Sequence, residues 1–234
     1  MTGTLFGIGV GPGDPELMTL KARRVLGTVP VLAFPAPLEG EGMARAIAAP
    51  HVPAGKVEIA IRMAFRPERD DAEAAYDAAA AAIAGHLEAG RDVAVLCEGD
   101  PLFFGSFIYL LARLGPRFPV EVVPGIASPM AASALLARPL ATLDDSVAIV
   151  PATRAEADIE RLLALADSAV ILKVGRHLPK VRRVLARLGL EHGAVVVERA
   201  GLDGQRVLDL DAASAGGVSY FSLILVHRRG TARP

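Results

Sequence analysis

Short apolar runs recur along this chain, and most of them close in a glycine- or proline-rich loop that opens a helical pattern. Residues 92–97, DVAVLC, show this plainly: after Asp92 an unbroken apolar run, then E-G-D-P, then the helical stretch PLFFGSFIYLLARLG over 101–115. A strand with no polar alternation has both faces buried, as in parallel sheets covered by helices. Further strands are predicted over 4–10, 29–37, 56–61 and 120–123, with helices from Asp14 to about Val25, at GMARAIAA and over 70–90. The pattern then restarts. A helix over 127–138 precedes strands over 146–152, 169–175, 194–200 and 219–229, with helices at EADIERLLALA and LPKVRRVLARLG.

Strands alternating with helices predict an α/β fold with mixed, largely parallel sheets. The last two strands have no predicted helix between them, which suggests an antiparallel hairpin. The break at Pro124-Gly125 divides 234 residues into halves of similar size, 1–124 and 125–234, with no low-complexity linker. Two α/β domains with a cleft between them are expected, because ligands bind at domain interfaces and at strand C-terminal ends.

Composition narrows the function. Lys and Arg number 25 against 26 Asp and Glu, so no charge excess recruits nucleic acid or an anionic membrane. The single cysteine, Cys97, allows neither a disulfide framework nor a cysteine-based zinc cluster within one chain. Histidines at 51, 86, 177, 192 and 227 form no H-x-H or H-x-x-x-H pair, so no protein metal site is expected. No secretory leader or membrane span is read, and the expectation is a cytoplasmic protein.

Three loops carry the candidate chemistry. In FGIGVGPGDPELMTLKA (6–22) an apolar strand meets three glycines alternating with Val10 and Pro12. Neither the dinucleotide pattern G-x-G-x-x-G nor the G-K-[ST] of a P-loop is present. The loop is either a tight turn that needs small residues or an open backbone that a bulky ligand approaches. CEGDPLFFGS (97–106) places Glu98, Gly99 and Asp100 at another strand end, as a helix cap and turn or as acids for proton transfer, metal ligation or hydroxyl binding. VVPGIASPMAAS (122–133) is a strand, a Pro-Gly turn and small residues that leave room for a flat ligand, or a turn with Ser128 as cap.

Taken together, GVGPGDPEL, EGDPLFFGS, VVPGIAS, ILKVGR, VERAG and YFSLILV resemble, in order and nearly end to end, the tetrapyrrole methylases. Within that family the start GTLFGIGVGPGDPELMTLKA, the loop EGDPLFFGSFIYL, KVGRHLPKVR and YFSLILV are similar to the branch that methylates precorrin-2 at carbon 20. Its cobalt-containing counterpart, or another tetrapyrrole methylation, is the alternative.

The resemblance implies two α/β domains, a homodimer, a small-molecule tetrapyrrole substrate, and S-adenosylmethionine as methyl donor in the interdomain cleft. The first domain would form the tetrapyrrole-side wall and the second would complete the donor site. Donor-binding positions carried over by motif are Pro12, Glu98, Gly99, Asp100, Phe103, Ala127, Ser128, Val174 and Ala200. Relatives often have Thr-Ala in place of Ala127-Ser128 and Met in place of Val174. No catalytic residue is assigned; Asp14, Glu98 and Arg176 are candidates for the base. Arg62, Arg66, Arg176 and Arg199 are candidate partners for substrate carboxylates. A sulfonium donor has one positive charge and no phosphate, which agrees with the absent phosphate motifs. On this reading Asp100→Ala affects donor binding more than folding, and Gly9, Gly11 and Gly13 let large ligands reach the backbone.

Overall fold

All five strands of the first sheet run parallel. They are β1 (Leu5–Gly9), β2 (Val31–Ala36), β3 (Val57–Arg62), β4 (Val93–Cys97) and β5 (Val120–Val123), in the order β3-β2-β4-β1-β5. The structure, a computed structural model, describes residues 1–64 and 69–229, with the side chains of 69–71 left aside. It divides into two units, Met1–Ala127 and Ser128–Pro234.

In the first unit the helices are α1 (Leu20–Thr28), α2 (Met43–Ala48), α3 (Arg69–Glu88) and α4 (Phe107–Leu114). Ile83 and Leu87 of α3 and Phe107 and Leu110 of α4 pack with Leu5, Val93, Val95 and Cys97 in one core. Gly7 makes that packing possible, since a Cβ there would fall 2.6 Å from the Phe107 ring.

The connection from β1 passes over β4 to reach β2, and the connection from β4 passes over β1 to reach β5. Chains leaving adjacent strands in opposite directions create a switch point, where open α/β sheets bind ligands. Here it lies at the C-terminal ends of β4, the middle strand, and β1.

Two helix starts differ from expectation. Asp14 does not open the long helix: its Oδ1 accepts the Glu16 N–H at 2.8 Å and caps a single 3-10 turn, Pro15–Leu17. The backbone is then extended at Met18, and Thr19 caps α1 by accepting the Ala22 N–H at 3.1 Å. Thr19 is the better-placed cap, with its hydroxyl on the third N–H of a run that continues as helix. Similarly, helix over 101–115 begins only at Phe107, because Phe104 has φ 56° and a Cβ on Gly105 would lie 2.5 Å from the Pro101 carbonyl oxygen.

The second unit contains α5 (Ser128–Leu135), β6 (Val147–Pro151), α6 (Glu156–Leu165), β7 (Ser168–Leu172), α7 (Leu178–Arg187), β8 (Val195–Glu198), β9 (Arg206–Leu208), α8 (Leu210–Gly216) and β10 (Ser222–His227). Its sheet order is β6-β7-β10-β8-β9. Strands β6 and β7 are parallel, while β10 runs antiparallel to both β7 and β8, and β9 antiparallel to β8. So β10 does pair with β8, but not as a hairpin: β9 and α8 lie between them in the chain. Both were overlooked because RVL is short and largely exposed and LDAASAG is weakly apolar. Val181, Val184 and Leu185 of α7 pack on Ile171, Val196 and Ile224 of the sheet.

Candidate active site

Beyond the ends of β1 and β4 the two loops stay joined. Val10 N–H donates to the Cys97 carbonyl at 2.9 Å, Gly99 N–H to Gly11 at 2.7 Å, and Gly11 N–H to Gly99 at 3.3 Å. Both glycines have positive φ, 83° at Gly11 and 66° at Gly99, a conformation that side chains resist. The bridge pairs Gly11 with Gly99 in the antiparallel sense, and buried Pro12 follows it directly.

The third loop packs on this pair, backbone against backbone. A Cβ on Gly9 would lie 2.5 Å from the Gly125 nitrogen, and a Cβ on Gly125 would lie 2.0 Å from the Gly99 carbonyl oxygen. The space at Gly9 is therefore filled by neighbouring loops, which corrects its reading as an opening for a ligand. Ala127 sits in ordinary contact, its Cα 3.6 Å from where a Gly99 Cβ would be. Ser128 follows as the first residue of α5.

The two acids of E-G-D-P have different surroundings. Both oxygens of Asp100 are committed, Oδ1 to the Leu102 N–H at 2.9 Å and Oδ2 to the Gly125 N–H at 3.0 Å. Glu98 is exposed and has no hydrogen-bond or ion-pair partner among the described residues. Desolvation by the surrounding protein pushes its pKa up, to an extent that its contact with water limits. Phe103 is half-buried and stands edge-on to Phe104, ring centres 5.0 Å apart.

In the second unit, β7 and β8 flank β10 and end where β10 begins. Val174 N–H donates to the Ser222 carbonyl at 3.4 Å and Arg199 N–H to the Phe221 carbonyl at 2.7 Å. Val174 and Ala200 thus stand at one edge of that sheet, both buried. Ser222 Oγ, in a residue 4% exposed, has no hydrogen-bond partner among the described residues.

Left-handed backbone marks these positions. Among the described residues five non-glycines have positive φ: Phe104, Ala137, Leu143, Lys173 and Arg199. Three of them directly adjoin expected donor positions, Phe104 after Phe103, Lys173 before Val174 and Arg199 before Ala200. Such strain collects where a fold sacrifices stability to shape a site.

Glu198 was missed in the sequence. It is 5% exposed, and its carboxylate takes the Ser219 N–H at 2.7 Å and the Arg206 Nε–H at 2.7 Å. Burial pushes its pKa up, but the Ser219 N–H and the Arg206 guanidinium outweigh it, so the net direction is down. Its signal was an acid ending the apolar run VVVE, where a buried charge requires partners.

The model of the family described as Tetrapyrrole (Corrin/Porphyrin) Methylases matches residues 4–215 of the chain. The chain belongs to this family. It is similar to "Precorrin-2 C(20)-methyltransferase" of Sinorhizobium sp, 44% identical over 96% of the chain and 95% of that protein. It is 31% identical to "Cobalt-precorrin-2 C(20)-methyltransferase" of Salmonella typhimurium, over 98% of each. Among solved structures, the uroporphyrin-III C-methyl transferase of Thermus thermophilus, complexed with S-adenyl homocysteine, superposes with a TM-score of 0.71. That match has 25% identity and covers 96% of this chain and 92% of the other.

The arginines of this methylase have unequal freedom. Arg62 Nη1 faces three carbonyls, of Pro37 at 2.9 Å, Gly40 at 3.2 Å and Leu38 at 3.4 Å, and so pins the loop after β2. Arg199 Nε donates to the Asp203 carbonyl at 2.6 Å. Arg176 is exposed, has no ion-pair partner among the described residues, and lines a surface cavity of 760 Å³ with Leu178, Pro179 and Val218. Arg66 lies outside the described residues. Cys97 is buried, and burial pushes its thiol up to about 12, which leaves it an inert strand residue. Among the described residues no group of three metal-ligating side chains occurs, and no helix is long and apolar enough to cross a membrane.

Proposed function

We propose that this chain transfers a methyl group from S-adenosylmethionine to carbon 20 of precorrin-2, forming precorrin-3A in cobalamin synthesis. The observation that carries this reading is the 44% identity with the Sinorhizobium relative, sustained over 96% of the chain. The strand-end loops suit the donor. They offer backbone carbonyls and one uncommitted carboxylate, Glu98, and this matches a sulfonium with an adenosine better than a phosphate.

On this reading Pro12, Gly99, Phe103 and Ala127 of the first unit bind the donor, and Asp100 holds their loops in place. Ser128, Val174 and Ala200 of the second unit take the adenosine; Ser222, whose carbonyl accepts the Val174 N–H, adds a hydroxyl without a partner among the described residues. The sulfonium is an intrinsically activated methyl donor, and the bridging carbon of a reduced tetrapyrrole is enamine-like and nucleophilic. The protein's main task is then to align the two reactants in line and to exclude water. Arg176 is the arginine best placed to meet a substrate carboxylate. The reading extends to a homodimer, on the family resemblance, and to the cytoplasm, on the sequence pattern.

A second reading has the cobalt-loaded substrate, favoured by the 31% identity over 98% of the chain with the Salmonella typhimurium relative. Incubation with S-adenosylmethionine and precorrin-2, or its cobalt form, tests both. One added methyl at carbon 20 by mass and NMR supports the reading, and the preferred substrate separates the two versions. Methylation at another carbon would keep the family and refute the substrate position.

A further inference from the structure

If carbon 20 is the methyl acceptor, one step has no residue assigned to it. When the new carbon–carbon bond forms and the carbon–sulfur bond breaks, the donor leaves as the neutral thioether. Carbon 20 then holds both the methyl and its original hydrogen. Conjugation returns only when that hydrogen departs as a proton and its bonding pair re-enters the macrocycle.

Several groups near the strand ends are excluded by what they already do. Asp14 accepts the Glu16 N–H as a cap. Asp100 has one oxygen on Leu102 and the other on Gly125. Arg176 is a permanent cation and accepts nothing. Glu39 and Glu41 are exposed on the loop after β2, outside the two loops that meet at the switch point. Glu98 differs from all of these. It is the first residue past β4, the middle strand, at the switch point between β4 and β1. No described group engages its carboxylate.

We propose that the Glu98 carboxylate takes the carbon-20 proton after the methyl group has arrived. The proton moves to a Glu98 oxygen and from there to solvent, which the exposed side chain reaches. A carboxylate whose surroundings raise its proton affinity is a better acceptor near neutral pH. This role replaces the donor contact that the family motif suggests for the same position, and it rests on the carbon-20 reading above.

The test compares wild type with Glu98→Gln and Glu98→Asp, using precorrin-2 with hydrogen or deuterium on its bridging carbons, and S-adenosylhomocysteine for binding. Glu98→Gln is expected to bind S-adenosylhomocysteine within about two-fold of wild type and to lose about 10²–10⁴-fold in kcat, as removal of a general base does. Its residual turnover slows further with the deuterated substrate, by more than wild type does, because proton loss has become limiting. Glu98→Asp recovers part of the rate. Three results would overturn the assignment: an unchanged kcat, a loss of donor affinity with kcat intact at saturation, or a slow variant with no added isotope effect. A wild-type protein that does not methylate carbon 20 would instead refute the substrate reading.

Discussion

Asp100 ties the loop after β4 to the loop after β5: its Oδ2 accepts the Gly125 N–H at 3.0 Å while its Oδ1 accepts the Leu102 N–H at 2.9 Å. A side chain that the motif assigns to the donor therefore has a duty inside the protein. Hydrogen bonds to a charged group contribute about 1.5–3 kcal/mol each, and an N–H left without a partner away from water costs a similar amount. Asp100→Ala is expected to lower unfolding free energy by about 2 kcal/mol in urea denaturation. Affinity for S-adenosylhomocysteine should fall with it, because the loops lose their register. Unchanged stability with lost affinity would restore the simpler view of Asp100 as a donor contact.

Glycine substitutions separate packing from helix propensity. An added Cβ at Gly125 would meet the Gly99 carbonyl oxygen at 2.0 Å, which only a backbone shift relieves. Gly125→Ala should destabilise by more than about 2 kcal/mol, as overpacking does, and should weaken donor binding. Gly85, inside α3, has nothing within 4 Å of its added Cβ. Gly85→Ala should stabilise by about 0.5–1 kcal/mol through helix propensity. Paired thermal melts of the two variants check both signs; a neutral Gly125→Ala would show that the loops are looser than their contacts indicate.

The strand core was legible because VAVLC and AVIL are wholly apolar, and such runs have few alternatives to a buried strand. Helix boundaries were less so: Asp14 and Thr19 are both good caps, and only the tertiary course of the chain selects Thr19. The loops were legible as places but not as arrangements. Sequence shows that Gly9, Gly99 and Gly125 are small; it does not show that they are small for one another. Nor does it separate Glu98 from Asp100, two acids with only Gly99 between them, because hydrogen bonds to Leu102 and to Gly125, 25 residues on, decide which of them is free. Glu198 escaped notice since one partner, Arg206, belongs to β9, which the sequence pattern did not resolve, and the other, Ser219, lies 21 residues on.

That buried carboxylate carries its own expectation. Glu198→Ala leaves the Ser219 N–H without its acceptor and the Arg206 guanidinium without its anion. A stability loss of about 1–3 kcal/mol is expected, and Glu198→Gln, which keeps an acceptor for Ser219, should lose less. Because Arg199 and Ala200 follow directly, S-adenosylhomocysteine affinity measured by calorimetry should drop in the Ala variant. Full affinity there would mean that the strained turn at Arg199 holds its shape without Glu198.

The last expectation concerns acid. The Asp145 side chain is 1% exposed and accepts the Thr142 N–H and hydroxyl, each at 2.9 Å, with Arg229 at 2.9 Å on its other oxygen. His227 Nε2 lies 3.2 Å away, and His227 Nδ1 accepts the Arg229 N–H, which leaves Nε2 as the protonated nitrogen facing Asp145. The Thr142 N–H, then His227 and the Thr142 hydroxyl, hold the Asp145 pKa down at about 2. An unfolded aspartate titrates near ~3.9, so the folded value is the lower one. The stabilisation is complete above the unfolded pKa and is lost as pH falls through that value toward about 2. Asp145→Asn removes the titrating group. The variant should melt below wild type at pH 7, and the gap should close progressively between pH ~4 and ~2. A gap that stayed constant over that window, followed by thermal melts at each pH, would mean that the Asp145 cluster contributes shape but not charge to the fold.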